Sequence, residues 1–395
     1  MRERPEGSGK WQLRAFSGPD PLTGKPMQAS RTFTGTKAKA KVALAKFVTE
    51  VNEGKFSRST VTVGQLLDRW LEVTETSHRP RTVYENRSKI EKRLKPLLGH
   101  HRLDRIQADT IDAAYREWLA GGLSPSTVNK YHAILSAACR QAVKWGWIDR
   151  SPIDRATPPS VPRKEMIVPT PGQLTTLVRA AEVVDPVLAT AIALAALTGA
   201  RRGELAALRW SDIDLAKRRL KISKSLTVTG AKQHIGPTKT HQSRDLALDA
   251  VCVKVLKLRS KTMAEHSKAA ESPLDEDPFV LSYNANGALP VNPDTLTHRF
   301  ARLCDSMEEP ALKRLRRTKP TATRDDLSID KRWPFRFHDL RHFSVTTLIA
   351  AGVDVRTVSE RHGHARATMT LDRYAHALPE RDRAAAGILG KALNW

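Results

Sequence analysis

Four polar residues near the C-terminal end of the chain have the types needed for chemistry on a phosphate. His338 and Arg341 are three positions apart in a stretch predicted to be helical, and residues at that spacing share one helix face. Tyr374 lies ten positions after His364, which follows Gly363. A tyrosine hydroxyl can attack phosphorus and form a covalent ester. These residues therefore predict phosphodiester chemistry.

A second group of residues in the middle of the chain would complement this chemistry. Arg201 and Glu204 lie in the run TGARRGEL, residues 198–205, and Lys239 lies in the run PTKT, residues 237–240. A helix end followed by a surface arginine would also explain the first run, and a hairpin tip would explain the second. The C-terminal residues could likewise be polar positions at a helix start and a buried aromatic. The joint occurrence of all of them favours one active site assembled from distant segments.

The charge of the chain favours a polyanionic partner. Lysine and arginine number 66 against 42 acidic residues, a formal net charge of +24, and the basic residues are spread along the chain. Nucleic acid is the simplest partner for such an excess. A basic, solvated surface on a soluble protein is the alternative.

Neither a membrane span nor a cysteine framework is indicated. Residues 1–10 are charged, and the apolar stretch at residues 188–197 is too short to cross a bilayer. We therefore expect a cytoplasmic protein with no membrane partner. Cys139, Cys252 and Cys304 are far apart and odd in number, which is typical of buried thiols rather than disulfides or a zinc site.

Residues 1–57 are predicted to form a small basic module of strands and a helix. Apolar alternation predicts one strand around Trp11 and another at residues 28–33, with turn residues between them. Thr36 can cap the helix that follows. Both a DNA-binding arm and a solvated appendage would fit this pattern.

Residues 61–156 are predicted to form four helices with cationic outer faces. The predicted starts of these helices are Thr62 with Gln65 in a capping box, about Arg81, Asp109 as a cap, and Ser124 before a proline. The second helix is predicted to continue to Leu98. Such a bundle suits binding to the backbone of duplex DNA, because phosphates require little more than positioned cations and helix ends.

Six prolines between Pro152 and Pro171 predict an extended segment that resists both helix and sheet. We place the linker at residues 157–168 and a third domain at residues 169–395. Its helices and strands are predicted at residues 171–184, 186–197, 219–226, 243–248, 250–268 and 293–307, with a basic loop at 308–333 and a tail helix at 381–395.

In this order and spacing, the polar residues resemble the active-site boxes of the tyrosine recombinases, or phage-type integrases. The resemblance extends over essentially the whole chain. It implies a catalytic set of Arg201, Lys239, His338, Arg341, His364 and Tyr374, with Glu204 in a supporting role. Where the family usually has Leu-Gly-His, this chain has His362, Gly363 and His364. His362 is therefore a second candidate for the hydrogen bond to a phosphate oxygen that the family pattern assigns to His364.

The resemblance implies a mechanism without a metal or another cofactor. Tyr374 would attack the scissile phosphate and form a 3′-phosphotyrosine. Arg201 and Arg341 would bind the nonbridging oxygens, for which a planar guanidinium is well suited. Lys239 would protonate the leaving 5′-oxygen, and His338 would accept the tyrosine proton.

The implied fold is mainly α with small β-sheets. It comprises a three-stranded arm-binding module with a helix, a helical core-binding domain and a mixed α/β catalytic domain. The implied function is that of a site-specific recombinase, the integrase of a prophage or an integrative mobile element. Its expected partners are double-stranded attachment sites, three further copies of the chain in a synaptic tetramer, and accessory DNA-bending or directionality factors.

Two other functions fit parts of the pattern. A catalytically inactive relative would bind DNA only, and a type IB topoisomerase would use the same tyrosine chemistry on one duplex. The predicted N-terminal arm favours recombination. The tail helix at 381–395 either packs on its own domain or docks on a neighbouring protomer.

Overall fold

The computed structural model describes the chain except for residues 20–23, 53–60, 163–165, 239–241, 329–331 and 364–395. The chain divides into two compact units, Met1–Lys164 and Glu165–Trp395. The described part is mainly helical with small sheets, which confirms the predicted fold class. The division between the units falls within residues 157–168, and the domain boundaries themselves stay predictions.

Three antiparallel strands and one helix form the N-terminal part of the first unit. They are β1 (Arg2–Glu3), β2 (Lys10–Pro19), β3 (Pro26–Thr34) and α1 (Lys37–Asn52). Leu13 of β2 and Phe47 of α1 belong to one small core. The amide of Lys39 donates to the hydroxyl of Thr36 at 3.5 Å, at the predicted cap. Both predicted strands and the helix are confirmed, whereas β1 is too short to leave a sequence pattern.

The remainder of the first unit is a helical bundle with its own core. Its α-helices are α2 (Val63–Glu75), α3 (Pro80–Lys89), α4 (Lys95–Leu98), α5 (Ala108–Ala120) and α6 (Pro125–Lys144). The capping box is confirmed. The amide of Gln65 donates to the hydroxyl of Thr62 at 3.3 Å, and the amide of Thr62 donates to the side-chain oxygen of Gln65 at 2.9 Å. Ser124 caps α6 by accepting from the amide of Thr127 at 3.3 Å.

Two predicted features of this bundle are wrong in detail. A π-helical turn, Ile90–Leu94, separates α3 from α4, so the second predicted helix is not α-helical throughout. Both terminal residues of this turn are buried, and the wider turn keeps them in the core. Asp109 does not cap α5: Gln107 is the N-cap, and the Asp109 carboxylate accepts from the adjacent amide of Thr110 at 2.7 Å. The acidic side chain therefore lies within the first turn, where it still complements the positive helix end.

The proline-rich segment begins with a short 3₁₀ helix, Pro152–Arg155, so the prediction of no helix from Pro152 onward is wrong there. Proline is compatible with a first helical turn, and Ile153 is buried in the bundle core, which stabilises the turn. The described residues after it, up to Thr170, have no regular secondary structure. The amide of Thr157 donates to the carboxylate of Asp112 at 2.8 Å, so the start of this segment lies on the bundle.

The second unit is organised around one helix that is buried on all sides. Its helices are α7 (Pro171–Val184), α8 (Pro186–Thr198), α9 (Arg202–Ala206), α10 (Ala250–Ala269), α11 (Pro293–Arg316), α12 (Asp339–Ala350) and α13 (Val355–His362). All but two of the 13 residues of α8 are buried, and α7, α10 and α12 pack against it. The predicted helices at residues 171–184 and 186–197 are confirmed. Within the described ranges no helix has the length and apolar character needed to cross a membrane.

The described part of the second unit also contains two small antiparallel sheets. The first contains β4 (Ile213–Asp214), β5 (Arg219–Ile222) and β8 (Arg244–Ala247), and the second is a hairpin of β6 (Lys224–Thr229) and β7 (Lys232–Pro237). The single strand predicted at residues 219–226 is therefore two strands. β7 was not predicted, because its residues are largely exposed and show no apolar alternation.

Helix α11 continues to Arg316, so the predicted loop is wrong for its first part. Pro310 lies inside the helix, where it removes one backbone hydrogen bond. Glu308 and Leu312 are buried on either side of it, and the Glu308 carboxylate accepts from the amide of Trp333 at 2.5 Å. These tertiary contacts offset the proline and keep the helix continuous.

Candidate active site

A tight turn at the end of α8 sets the position of Arg201. Gly199 adopts a left-handed backbone conformation with φ +63° and ends the helix. The hydroxyl of Thr198 donates to the carbonyl of Leu194 at 2.5 Å and accepts from the amide of Ala200 at 3.2 Å. The turn is therefore closed by side-chain bonds on both sides, and Arg201 follows it directly as the N-cap residue of α9.

Glu204 lies at the centre of the site as a buried carboxylate. Only 2 % of the residue is exposed. It accepts from the amide of Arg201 at 2.9 Å and from the Nη1 of Arg201 at 2.8 Å. It also accepts from the Nη1 of Arg244 at 3.3 Å and from its Nη2 at 2.6 Å. Both carboxylate oxygens therefore accept hydrogen bonds from the two arginines.

This environment keeps Glu204 ionised. Burial alone would raise the pKa of the Glu204 carboxyl. The hydrogen bond and the charge of Arg244, followed by the charge and backbone amide of Arg201, outweigh burial and hold the pKa below its usual 4.5. The carboxylate is thus a fixed negative charge that orients two guanidinium groups.

Arg341 reaches the same region from α12. The residue is only 3 % exposed, and its Nη1 donates to the carbonyl of Gly199 at 2.6 Å. Its Nη2 donates to the carbonyl of His362 at 2.5 Å. Because α12 packs against α8, the His-x-x-Arg box is held beside the turn that carries Arg201. Two segments separated by more than a hundred residues therefore meet at one turn.

The end of α13 brings three arginines together. Gly363 ends this helix in a left-handed conformation with φ +61°. The carbonyls of three consecutive residues accept from three different arginines: Arg361 from Arg244 at 3.0 Å, His362 from Arg341 at 2.5 Å, and Gly363 from Arg201 at 2.8 Å. The C-terminal carbonyls of a helix carry partial negative charge and suit such cations. This arginine cluster, Arg201, Arg244 and Arg341, is centred on the turn that leads into His364.

His338 lies at the start of α12 as its N-cap residue. The residue is exposed, and its ring lies edge-on to that of His342 with centroids 4.8 Å apart. The residue is thus on the solvent-facing side of the helix start, one turn before Arg341. An exposed imidazole at this position can exchange protons with an incoming group.

The ring of His362 is a core side chain. It is 0 % exposed, with Nδ1 2.8 Å from the carbonyl of Val358 and Nε2 3.1 Å from the hydroxyl of Ser344. A carbonyl can only accept, so Nδ1 carries a proton and donates it to Val358. The ring also packs against Gly199, where an added Cβ would lie 2.2 Å from its Cδ2. These contacts favour a structural role for His362.

Lys239, His364 and Tyr374 lie outside the described residues, and their assigned roles stay predictions. Of the described residues near Lys239 in sequence, Thr238 is fully buried, and its hydroxyl donates to the carbonyl of Gln242 at 2.8 Å. The structure therefore brings together Arg201, Glu204 and Arg341 of the predicted set.

A sequence profile described as "Phage integrase family" matches residues 170–381, more than half of the chain. The chain belongs to the phage integrase family. A second profile, "Phage integrase, N-terminal SAM-like domain", matches residues 62–119 in the helical bundle. The chain is accordingly a tyrosine site-specific recombinase, of the kind found in prophages and mobile elements.

Similar proteins cover nearly the full length of this family member. The ICEBs1 integrase of Bacillus subtilis is 24 % identical over 388 residues, which is 98 % of each chain. The putative prophage phiRv2 integrase of Mycobacterium tuberculosis is 26 % identical and covers 99 % of this chain and 95 % of its own.

Solved structures share the fold. The Tn1549 transposon integrase, in complex with transposon right end DNA, matches with a TM-score of 0.67 at 22 % identity, over 84 % of this chain and 100 % of that chain. A lambda integrase tetramer bound to a Holliday junction matches with a TM-score of 0.54 at 20 % identity, over 89 % and 93 % of the two chains.

Arg244 is the residue of this site to which the sequence interpretation gave no role. It follows Lys239 by five positions and opens β8, in which Arg244 and Leu246 share the less exposed face. The period-two pattern of this strand was the available signal, since an arginine on the inner face of a strand requires a buried partner.

Proposed function

We propose that this recombinase cleaves one DNA strand by attack of the Tyr374 hydroxyl on the scissile phosphorus. The new bond joins the tyrosine oxygen to the 3′-phosphate, and the bond to the 5′-oxygen breaks to release a 5′-hydroxyl. Attack by a 5′-hydroxyl of a second strand reverses the step and frees the tyrosine. The observation that carries the proposal is the convergence of Arg201 and Arg341 on the turn at residues 361–363, with Glu204 buried beneath them.

The two arginines supply positive charge where negative charge develops. As phosphorus becomes five-coordinate, the nonbridging oxygens gain charge and accept stronger hydrogen bonds. The guanidinium planes of Arg201 and Arg341 are preset by backbone carbonyls and by Glu204, so little reorganisation accompanies the reaction. Removing one preorganised donor of this kind costs about 10²- to 10³-fold in rate.

Proton transfer completes the step. In the proposal, the Lys239 ammonium protonates the leaving 5′-oxygen, and the exposed imidazole of His338 accepts the tyrosine proton. His364, directly after the turn that binds the arginine cluster, donates a hydrogen bond to a phosphate oxygen.

The proposed substrates are double-stranded attachment sites bound by four copies of the chain. The net charge of +24 supports a DNA partner, and α3 presents no buried residue but several arginine and lysine side chains. The Tn1549 and lambda structures contain DNA, and one contains a tetramer on a Holliday junction. Accessory DNA-bending or directionality factors are a further part of the proposal.

The experiment uses a duplex selected from a random library by its binding to the full chain. Lys239→Ala should slow cleavage of the normal duplex but not of one with a 5′-phosphorothiolate leaving group, which needs no acid. Equal slowing on both substrates would refute the acid role of Lys239. The same protein should join two sites and should not relax a supercoiled plasmid that lacks the site. Relaxation without joining would favour a topoisomerase instead.

A further inference from the structure

We propose that Arg244 is a positioning residue that keeps the charge of Arg201 available to the substrate phosphate by neutralising Glu204. The inference rests on the proposed role of Arg201 in binding that phosphate. It deepens that role, because it assigns a function to a residue that touches Arg201 only through the shared carboxylate.

Arg244 forms a bidentate ion pair with the carboxylate of Glu204. Its Nη1 and Nη2 donate separately to the two oxygens of Glu204, at 3.3 and 2.6 Å. Planar guanidinium and carboxylate groups in this arrangement form the strongest type of side-chain ion pair. The side chain of Arg244 is 8 % exposed, whereas that of Arg201 is 23 % exposed. Arg201 is therefore the more accessible of the two cations, and Arg244 is the more buried.

The three charged groups do not cancel one another. Glu204 contributes one negative charge, and Arg201 and Arg244 contribute one positive charge each, so the three groups together carry one positive charge. Without Arg244, the single negative charge of Glu204 would cancel the positive charge of Arg201, and the pair would have no net charge. Screening by solvent is weak at a buried carboxylate. Loss of this net positive charge would therefore weaken the attraction of the site for a bound phosphate.

Arg244 also fixes the turn that precedes His364. Its Nε donates to the carbonyl of Arg361 at 3.0 Å. A Cβ added at Gly363 would lie 3.0 Å from its Nη1, so the guanidinium packs closely against this turn. One side chain thus joins strand β8, the carboxylate of Glu204 and the end of α13.

A purely structural role for Arg244 makes a different prediction from the charge role. If Arg244 only supports the fold, replacing Glu204 as well should add further damage. If Arg244 acts by neutralising Glu204, then Glu204→Gln should remove the charge that Arg244 no longer balances and restore part of the rate. The double variant therefore separates the two roles.

The test is single-turnover cleavage of a nicked suicide duplex by the full chain, with duplex affinity and melting temperature measured in parallel. We expect Arg244→Gln to slow cleavage about 10²-fold, as for the loss of a preorganised donor, while affinity changes less than about threefold because many other phosphates are bound. Arg244→Gln combined with Glu204→Gln should regain about tenfold of that rate, which is half of the loss on a logarithmic scale. Arg244→Lys, which keeps the charge, should lose less than about tenfold.

Arg259→Gln is the matched control. Arg259 is a buried arginine of the same unit that donates to the carbonyls of Val280 and Ser282, each at 2.9 Å. Its replacement should lower the melting temperature and leave the cleavage rate within about threefold of the wild type, because it shares no bond with Glu204.

The outcomes separate this inference from the proposed function. Three results would overturn the charge role and leave the proposed function standing, provided that Tyr374→Phe forms no adduct. They are a double variant that cleaves as slowly as Arg244→Gln, an Arg244→Lys variant that loses as much rate as Arg244→Gln, and an Arg244→Gln variant that cleaves at the wild-type rate. An adduct that persists in Tyr374→Phe would overturn the proposed function and this inference with it.

Discussion

Replacing Gly199 with alanine tests whether the turn after α8 and the ring of His362 hold the site together. Gly199 has φ +63°, a conformation that costs other residues about 1–2 kcal/mol. Its missing side chain also makes room for His362, because an added Cβ would lie 2.2 Å from Cδ2 and 2.3 Å from Nε2 of the ring. Overpacking of this kind typically costs about 1–3 kcal/mol. Gly199→Ala should therefore lower the free energy of unfolding of the second unit by about 2–5 kcal/mol.

Gly230→Ala is the matched control for the backbone contribution. Gly230 has φ +60° in the turn between β6 and β7, and no atom lies within 4 Å of a Cβ added there. Gly230→Ala should therefore lower the free energy of unfolding by only about 1–2 kcal/mol. The difference between the two variants isolates the clash with His362, and His362→Ala in the Gly199→Ala background should cause less loss than it causes in the wild type.

Urea unfolding followed by fluorescence gives these free energies, and hydrogen exchange of α8 peptides assigns the transition to the second unit. Gly199→Ala should also slow DNA cleavage by about 10²-fold, because the carbonyl that fixes Arg341 moves with the turn. Equal losses of stability in Gly199→Ala and Gly230→Ala would refute the packing argument.

Two further predictions concern pH. Because the pKa of Glu204 lies below its usual 4.5 in the folded chain, its contribution to stability is present above that value and is lost as pH falls through the lowered pKa. The difference in unfolding free energy between wild type and Glu204→Gln should therefore be constant above about pH 5 and shrink below pH 4.5, and urea unfolding from pH 3 to 7 measures it. Burial, and then the charge of Arg140, lower the pKa of His132 below 6.5, with its Nδ1 2.8 Å from the Tyr115 hydroxyl. The helical bundle should lose stability as pH falls below 6.5, because His132 takes up a proton there in the unfolded chain and not in the folded one. If His132→Gln leaves the pH dependence of stability unchanged, His132 is not its cause.

Local signals predicted the elements whose causes are local. The capping box at Thr62 and Gln65 and the cap at Ser124 involve residues a few positions apart, and both are present. Helix α11 continues through Pro310 because of burial and a bond to Trp333, neither of which is visible in a sequence window. Residue-by-residue propensity therefore failed where tertiary contacts decided the structure.

Some features of the candidate active site could be predicted from the sequence, and others depend on tertiary packing. The types and order of Arg201, Glu204 and Arg341 indicated their use, and the structure places them around one turn. The partnership of Glu204 with Arg244, forty positions away, depends on how α9 and β8 meet. The burial of His362 depends on how α13 packs against α12. Such pairings arise from the packing of elements that are distant in sequence, so motif spacing could not reveal them.

Mapping the covalent bond to DNA tests the central claim most directly. The full chain is incubated with a nicked suicide duplex carrying its selected site, the adduct is isolated on a denaturing gel, and the modified peptide is identified by mass spectrometry. We predict an adduct on Tyr374 through a 3′-phosphate, formed without added metal or nucleotide and abolished by Tyr374→Phe. An adduct on another residue, or one that persists in Tyr374→Phe, would contradict the account.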